Sequence, residues 1–162
     1  MKAKWSLALV LGLVGLGVTA PLVTATPGQG FTAVQQWRGV FESIDVKSET
    51  DDHELELRTE GVSDVYVTRN AIAVGGHSGW HTHPGPSLII VTEGWIMSYD
   101  ADDPHCTPTR YDVGEGFVDP GDGHVHLLSN ESGAPAETVA IQILPQGSTR
   151  RIDRPATGNC GF

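Results

Sequence analysis

The chain has little positive charge, little cysteine and no clear helix. Its 10 Lys and Arg stand against 20 Asp and Glu, a formal charge of −10 at neutral pH. No basic patch offsets this, which argues against partners whose phosphates demand Lys and Arg, nucleic acid and anionic membranes alike. No segment shows a sustained helical period with caps. There is no Ser-His-Asp arrangement, no phosphate-cradling glycine loop and no dinucleotide fingerprint, and Gly75-Gly76 precedes no helix. Catalysis, if the chain has any, then falls to a metal. Only one apolar run is long, Leu7 through Val18.

That run follows Lys2 and Lys4 and precedes Val23-Thr24-Ala25, which fits a signal-peptidase site. Residues 1–25 therefore read as a secretory signal peptide. The run is short for a membrane span, and Pro21 interrupts it. Cleavage would remove two lysines and no acid, moving the formal charge from −10 to −12. The expected product is a secreted, extracytoplasmic protein that no longer engages the membrane. In that setting the two cysteines, Cys106 and Cys160, have one pairing available, and an exported chain favours a disulfide. Closing a loop of about 50 residues contributes roughly 4 kcal/mol in the chain-entropy picture. The competing reading, two metal-binding thiolates, is opposed by their separation and by the lack of a histidine beside Cys160.

Beyond a leader expected to be flexible (26–35), the pattern is almost all β. Short runs of Val, Ile, Tyr and Phe alternate with Gly, Pro, Asp and Asn. Expected strands are Gly39–Asp45, Glu54–Arg58, Asp64–Val74, Ser87–Thr92, Trp95–Asp100, Thr109–Asp112, Gly116–Asp119, His124–Ser129 and Glu137–Leu144. Asp64–Val74 is long enough to bend or to be two strands. Glu93-Gly94 is expected to close a tight hairpin. Leu88-Ile89-Ile90-Val91 is apolar on both faces, which suits a strand covered on both sides, by a second sheet or by a second subunit in a homodimer. The last residues (147–162) read as an extended arm pinned through Cys160.

Four of the seven histidines fall in two His-x-His pairs, His81/His83 and His124/His126. Residues two apart on a strand share a face, so each pair can aim two imidazoles at one spot, and neutral imidazole is the commonest protein metal ligand. His77 reads as a rim residue, and His53 and His105 as surface. Trp80, adjacent to His81, should point away from the ligand face. Pro84-Gly85-Pro86 should shape the turn between the strands carrying His81, His83 and Ser87. Asn130 either caps the turn after its strand or serves as the acceptor of the sequon Asn130-Glu131-Ser132.

These spacings resemble the cupin superfamily. Its first motif runs Gly, five residues, His-x-His, three or four residues, Glu, six residues, Gly, and Gly75, His81, His83 and Gly94 match it. Its second motif is matched by Gly114, Pro120, Gly123, His126 and Asn130, with one extra residue between Pro120 and Gly123. The resemblance implies an all-β fold, a double-stranded β-helix (cupin or jelly-roll) small barrel, over residues 36–146. It implies that His81, His83 and His126 hold a metal inside the barrel. Ser87 stands where the family has its glutamate. A hydroxyl is a poor ligand at neutral pH, so the expected set is three neutral imidazoles with open positions. Such a set suits Fe, Cu, Ni or Zn rather than hard Mn²⁺, and Ser87→Glu would then raise Mn²⁺ affinity. By strand parity His124 shares the face of His126 and is an additional ligand, an orienting group or a proton shuttle, unless a kink after Gly123 turns it away. Metal affinity should fall below about pH 6 as imidazoles protonate.

The implied function is a metal-dependent oxygenase acting on a small molecule, with substrate and O₂ at the open positions. Two alternatives stand beside it: a non-catalytic extracellular binder of a metal or small ligand, and a metal-assisted isomerase or epimerase with Glu93 as base.

Overall fold

The computed structural model describes residues 25–162. The expected signal peptide lies outside the described residues, apart from Ala25. Twelve strands follow in order: β1 (Gln29–Phe41), β2 (Asp45–Glu49), β3 (Glu54–Arg58), β4 (Ser63–His77), β5 (His81–Thr82), β6 (Ser87–Glu93), β7 (Trp95–Asp100), β8 (Thr109–Asp112), β9 (Gly116–Asp119), β10 (His126–Ser129), β11 (Ala136–Pro145) and β12 (Ile152–Asp153). No helix occurs among the described residues, so none there is long and apolar enough to cross a membrane.

Ten strands form one antiparallel sheet that curls into a nearly closed barrel. One wall runs β1-β4-β11-β6-β9 and the other β12-β5-β10-β7-β8. β4 joins them. Its first part pairs β1 and β11, and after the positive φ of Gly75 its last residue, His77, pairs Ser129 of β10. Asp64–Val74 is therefore one continuous strand, and the turn towards the other wall comes just beyond it, at Gly75. β2 and β3 form a separate hairpin.

Three expectations change. The leader is not free: Ala25 bridges Pro155, the Thr26 amide donates to the Arg154 carbonyl, and β1 begins at Gln29. β6 and β7 are not a hairpin. β6 pairs β11 and β9, whereas β7 pairs β10 and β8, so the chain crosses between walls at Gly94. Gly94 still needs its positive φ of 67°, and a Cβ there would meet the Pro135 carbonyl at 2.8 Å. Within the chain the apolar run of β6 is covered on one side only, so of the two expected outer covers the second sheet is absent among the described residues and the second subunit stays the alternative. Ile89 and Val91 are buried, while Leu88 and Ile90 are 44% and 45% exposed. Their outer face continues across the wall through Trp37, Val67, Ile141, Leu88 and Val118, each opposite the next. Nothing among the described residues covers it.

The barrel interior holds Ile72, Val91, Ile96, Leu128 and Ala136, with Phe31, Tyr111 and Phe117 against them. A second apolar cluster lies on the outside of the other wall. There Trp80, Tyr99 and Leu127 are covered by the C-terminal arm through Cys160 and Phe162. The Cys106–Cys160 disulfide pins that arm. Trp80 thus faces away from the interior, as its parity with His81 requires.

Candidate metal centre

Inside one end of the barrel, β5, β6, β9, β10 and β11 bring polar side chains together. His81 lies on β5, opposite His126 of β10. His83 follows in the turn that Pro84-Gly85-Pro86 completes. His81, His83 and His126 are all buried, and one potential ligand atom from each lies within 4.8 Å of the others. Ring centroids are 4.9 Å apart for His81–His83, 4.3 Å for His81–His126 and 5.6 Å for His83–His126.

Backbone carbonyls set two of the tautomers. His81 Nδ1 donates to the Gly79 carbonyl at 2.9 Å, and His83 Nδ1 to the Arg150 carbonyl at 2.5 Å. A proton on Nδ1 leaves the Nε2 lone pair for a ligand, the arrangement that orients metal-binding imidazoles. Burial holds the rings in that neutral form. It pushes His81 well below 6.5, with the charges of His126 and Arg151 adding to the effect. It lowers His83 and takes His126 to about 4, although Asp119 pulls His126 the other way. Proton competition for a metal therefore belongs at lower pH than the pH 6 expected from an unperturbed imidazole. The donor set, buried, neutral and convergent, fits a divalent transition metal.

Ser87 is buried beside the triad, its Oγ 3.4 Å from the Gln142 side-chain nitrogen. His124 does not join the triad. The kink at Gly123, with φ of 90°, precedes it, and β10 starts only at His126. Its Nδ1 lies 3.0 Å from Asp119 Oδ1 and its Nε2 3.1 Å from Asp100 Oδ1. Both nitrogens are engaged, so His124 is not available as a fourth imidazole without breaking a carboxylate contact. His77 packs against Phe162 on the outside, and His53 and His105 are exposed. Asn130 caps its turn: fully buried, it donates to the Ile72 and Ala134 carbonyls and accepts from Ser132. That burial removes it as a glycosylation acceptor in the folded chain.

Sequence reasoning assigned no role to Asp119, Gln142, Arg150 or Arg151. Asp119 is buried in contact with His83, His124 and His126. The other three line the cavity next to the histidines, with Phe31, Asn70 and Ile89. Asp119 carried a signal, since it ends an expected strand immediately before the motif residue Pro120. The arginines carried none, because the tail reaches the barrel mouth only through tertiary packing.

No protein-family model matches the sequence, and no curated protein matches it. Among solved structures the chain is similar to a polyketide cyclase from Streptomyces resistomycificus. The TM-score is 0.52 at 13% identity, over 89% of this chain and 86% of that one. It is also similar to a cupin superfamily protein from Desulfitobacterium hafniense (TM-score 0.44, 13% identity, 66% of this chain and 79% of that one). A cupin domain from Bordetella pertussis is a third (TM-score 0.43, 19% identity, 64% and 95%). At these identities the likeness is one of fold. The chain has the all-β double-stranded β-helix fold, and it carries the three histidines inside its barrel.

Proposed function

We propose that the protein is an exported, metal-dependent cupin oxygenase acting on a small molecule. The observation that carries this reading is the convergence of His81, His83 and His126 inside the barrel. A divalent transition metal held there would supply Lewis-acid and redox chemistry to a chelating substrate and O₂. His81 and His83 would present Nε2, because each Nδ1 is committed to a carbonyl.

The lining of the cavity beside the triad supports a small substrate with an acidic group. Phe31, Ile89 and Leu128 give it apolar walls, and Asn70, Ser87 and Gln142 give it hydrogen-bonding groups. Arg150 lines its mouth with Nη1 buried and unpartnered among the described residues. An acidic group on the substrate would satisfy that donor. Glu93 is exposed at the crossing between walls and does not line this cavity, which weakens the isomerase alternative. Export is supported by the Cys106–Cys160 disulfide, which an oxidising compartment preserves.

The test is O₂ uptake by protein loaded with Fe²⁺, Cu²⁺ or Ni²⁺, against phenolic, diketone and thiol substrates with and without a carboxylate. Uptake that disappears in His81→Ala supports the oxygenase. No uptake with any pairing, despite stoichiometric metal, leaves the non-catalytic binder.

A further inference from the structure

β8 and β9 end the two walls without pairing, so the barrel stays open between them. A second cavity lies in that opening, and His126 lines both it and the cavity beside the triad. Asp100, Asp119 and His124 line the second cavity with His126, and no Lys or Arg of the described residues does. Two carboxylates meet two imidazoles there with no Lys or Arg in the lining to balance them.

The donors converge. One potential ligand atom each from Asp119, His124 and His126 lies within 4.8 Å of the others. Asp119 Oδ1 stands 3.0 Å from His124 Nδ1 and 3.5 Å from His126 Nδ1. Ligands around a tetrahedral ion with bonds of about 2.1 Å are about 3.4 Å apart. His126 is 3% exposed, and its Nδ1 is buried without a hydrogen-bond partner among the described residues. Asp119 is buried too, at the end of β9 opposite Ser87, and its ionic contacts are with histidines alone. The Gly121 amide donates to its Oδ1 at 3.1 Å and fixes the carboxylate. His124 meets a carboxylate at each nitrogen, with Asp100 Oδ1 3.1 Å from Nε2. A neutral imidazole has one N–H to give. Given to Asp100, it orients the ring as outer carboxylates orient metal-bound histidines, and the Nδ1 lone pair then faces Asp119 Oδ1. A cation between these two atoms turns their repulsion into coordination, and it satisfies the buried Nδ1 of His126 as well.

We propose that Asp119, His124 and His126 form a second site, for a divalent transition metal, distinct from the histidine triad, with Asp100 as the residue that orients His124. Two imidazoles, one carboxylate and an open position facing the cavity suit such an ion. His126 serves both sites, Nδ1 here and Nε2 in the triad. With both filled it bridges the ions as imidazolate, its N–H proton released to solvent. That shared ring and the part-exposed His124 make this the weaker site. Its ion is lost on desalting, and purified protein carries the triad ion alone.

The test is calorimetric titration of Zn²⁺ into metal-stripped protein, reading ions bound per chain. Wild type should bind two, the second more weakly than the first. His124→Ala should bind one, with the tighter event kept, and Asp119→Asn should lose the weaker event too. Asp100→Asn should weaken that event alone, by about 10- to 100-fold. His81→Ala should lose the tighter event and keep the weaker, and His126→Ala should lose both. Wild type that saturates with one Zn²⁺ would overturn the proposal. So would a His124→Ala protein that still binds two while unfolding at the wild-type temperature, since His124 would then be only hydrogen-bonded between Asp100 and Asp119. A His81→Ala protein that keeps both events, with the weaker one lost in His124→Ala, supports this site and refutes the triad instead.

Discussion

The two ends of the barrel interior are built on the same strands and obey opposite rules. Towards one end the inward residues are Ser87, His126 and Asp119. Two residues along the same strands they are Ile89, Leu128 and Phe117, leading to Val91, Ile72 and Ile96 at the apolar end. Inward positions recur with period two, so a strand changes from ligand carrier to core former within one step of that period. The apolar end is held by packing that needs no partner ion. The polar end is a cluster of groups that burial has made expensive, with Asp119 Oδ2 and His126 Nδ1 lacking hydrogen-bond partners among the described residues. Stability should therefore reside at one end and binding at the other.

The sharpest separation is expected from His81→Ala and His126→Ala. Elemental analysis should show metal content falling from stoichiometric to none, while the metal-free protein unfolds close to its wild-type temperature. A large loss of stability without metal would mean that the polar end is also core. The disulfide comes next. It spans a sequence separation of 54, and Cys160→Ser should lower the unfolding free energy by about 4 kcal/mol in denaturant titrations. That change acts on the arm over Trp80 outside the barrel, and metal affinity should move little. Ile96→Ala and Leu128→Ala at the apolar end should each cost about 3 kcal/mol. Tenfold weaker metal binding in Ile96→Ala would break the separation.

The pH dependence of the metal-free protein is a smaller effect. His126 is lowered from 6.5 to about 4 in the folded chain, chiefly by burial. Between those values the unfolded chain binds more protons, so stability falls as pH falls from 6.5 and levels off below about 4. The loss should amount to at most about 3 kcal/mol for this residue, and thermal unfolding of His126→Gln should show a shallower slope. The smallest effect belongs to Ser87→Glu alone. Because Asp119 already stands opposite, the gain in Mn²⁺ affinity should stay below about tenfold, and the two facing carboxylates should repel. Three neutral imidazoles with no carboxylate beside them would instead give the larger gain.

Much of this was legible before any coordinates. Glu54–Arg58, Trp95–Asp100, Thr109–Asp112 and Gly116–Asp119 begin and end where expected, because turn residues bracket alternating strands. What was missed follows a physical pattern. β1 began late because Gly28 and Gly30 suggested a free leader, whereas pairing with β4 orders it. The hairpin at Gly94 was misassigned because a glycine turn between strands looks the same whether the strands pair or part to opposite walls. Apolar character at Leu88 and Ile90 does not tell a covering sheet from a covering subunit, and no second sheet of the described residues lies over them. For His124 the sequence leaves two outcomes open, parity with His126 or a kink after Gly123, and the structure has the kink, which sends it to Asp119 and Asp100.

By itself the sequence determined the strand-rich character, the motif spacing that resembles the cupins and the three histidines that meet inside the barrel. These are local properties, set by a period of two and by fixed intervals between turn residues. Only the tertiary structure decided which strands are neighbours, and therefore that Asp119 faces Ser87 and that Arg150 reaches the cavity mouth. Antiparallel register is a non-local property, fixed by the packing of both walls at once, and no spacing along the chain encodes it.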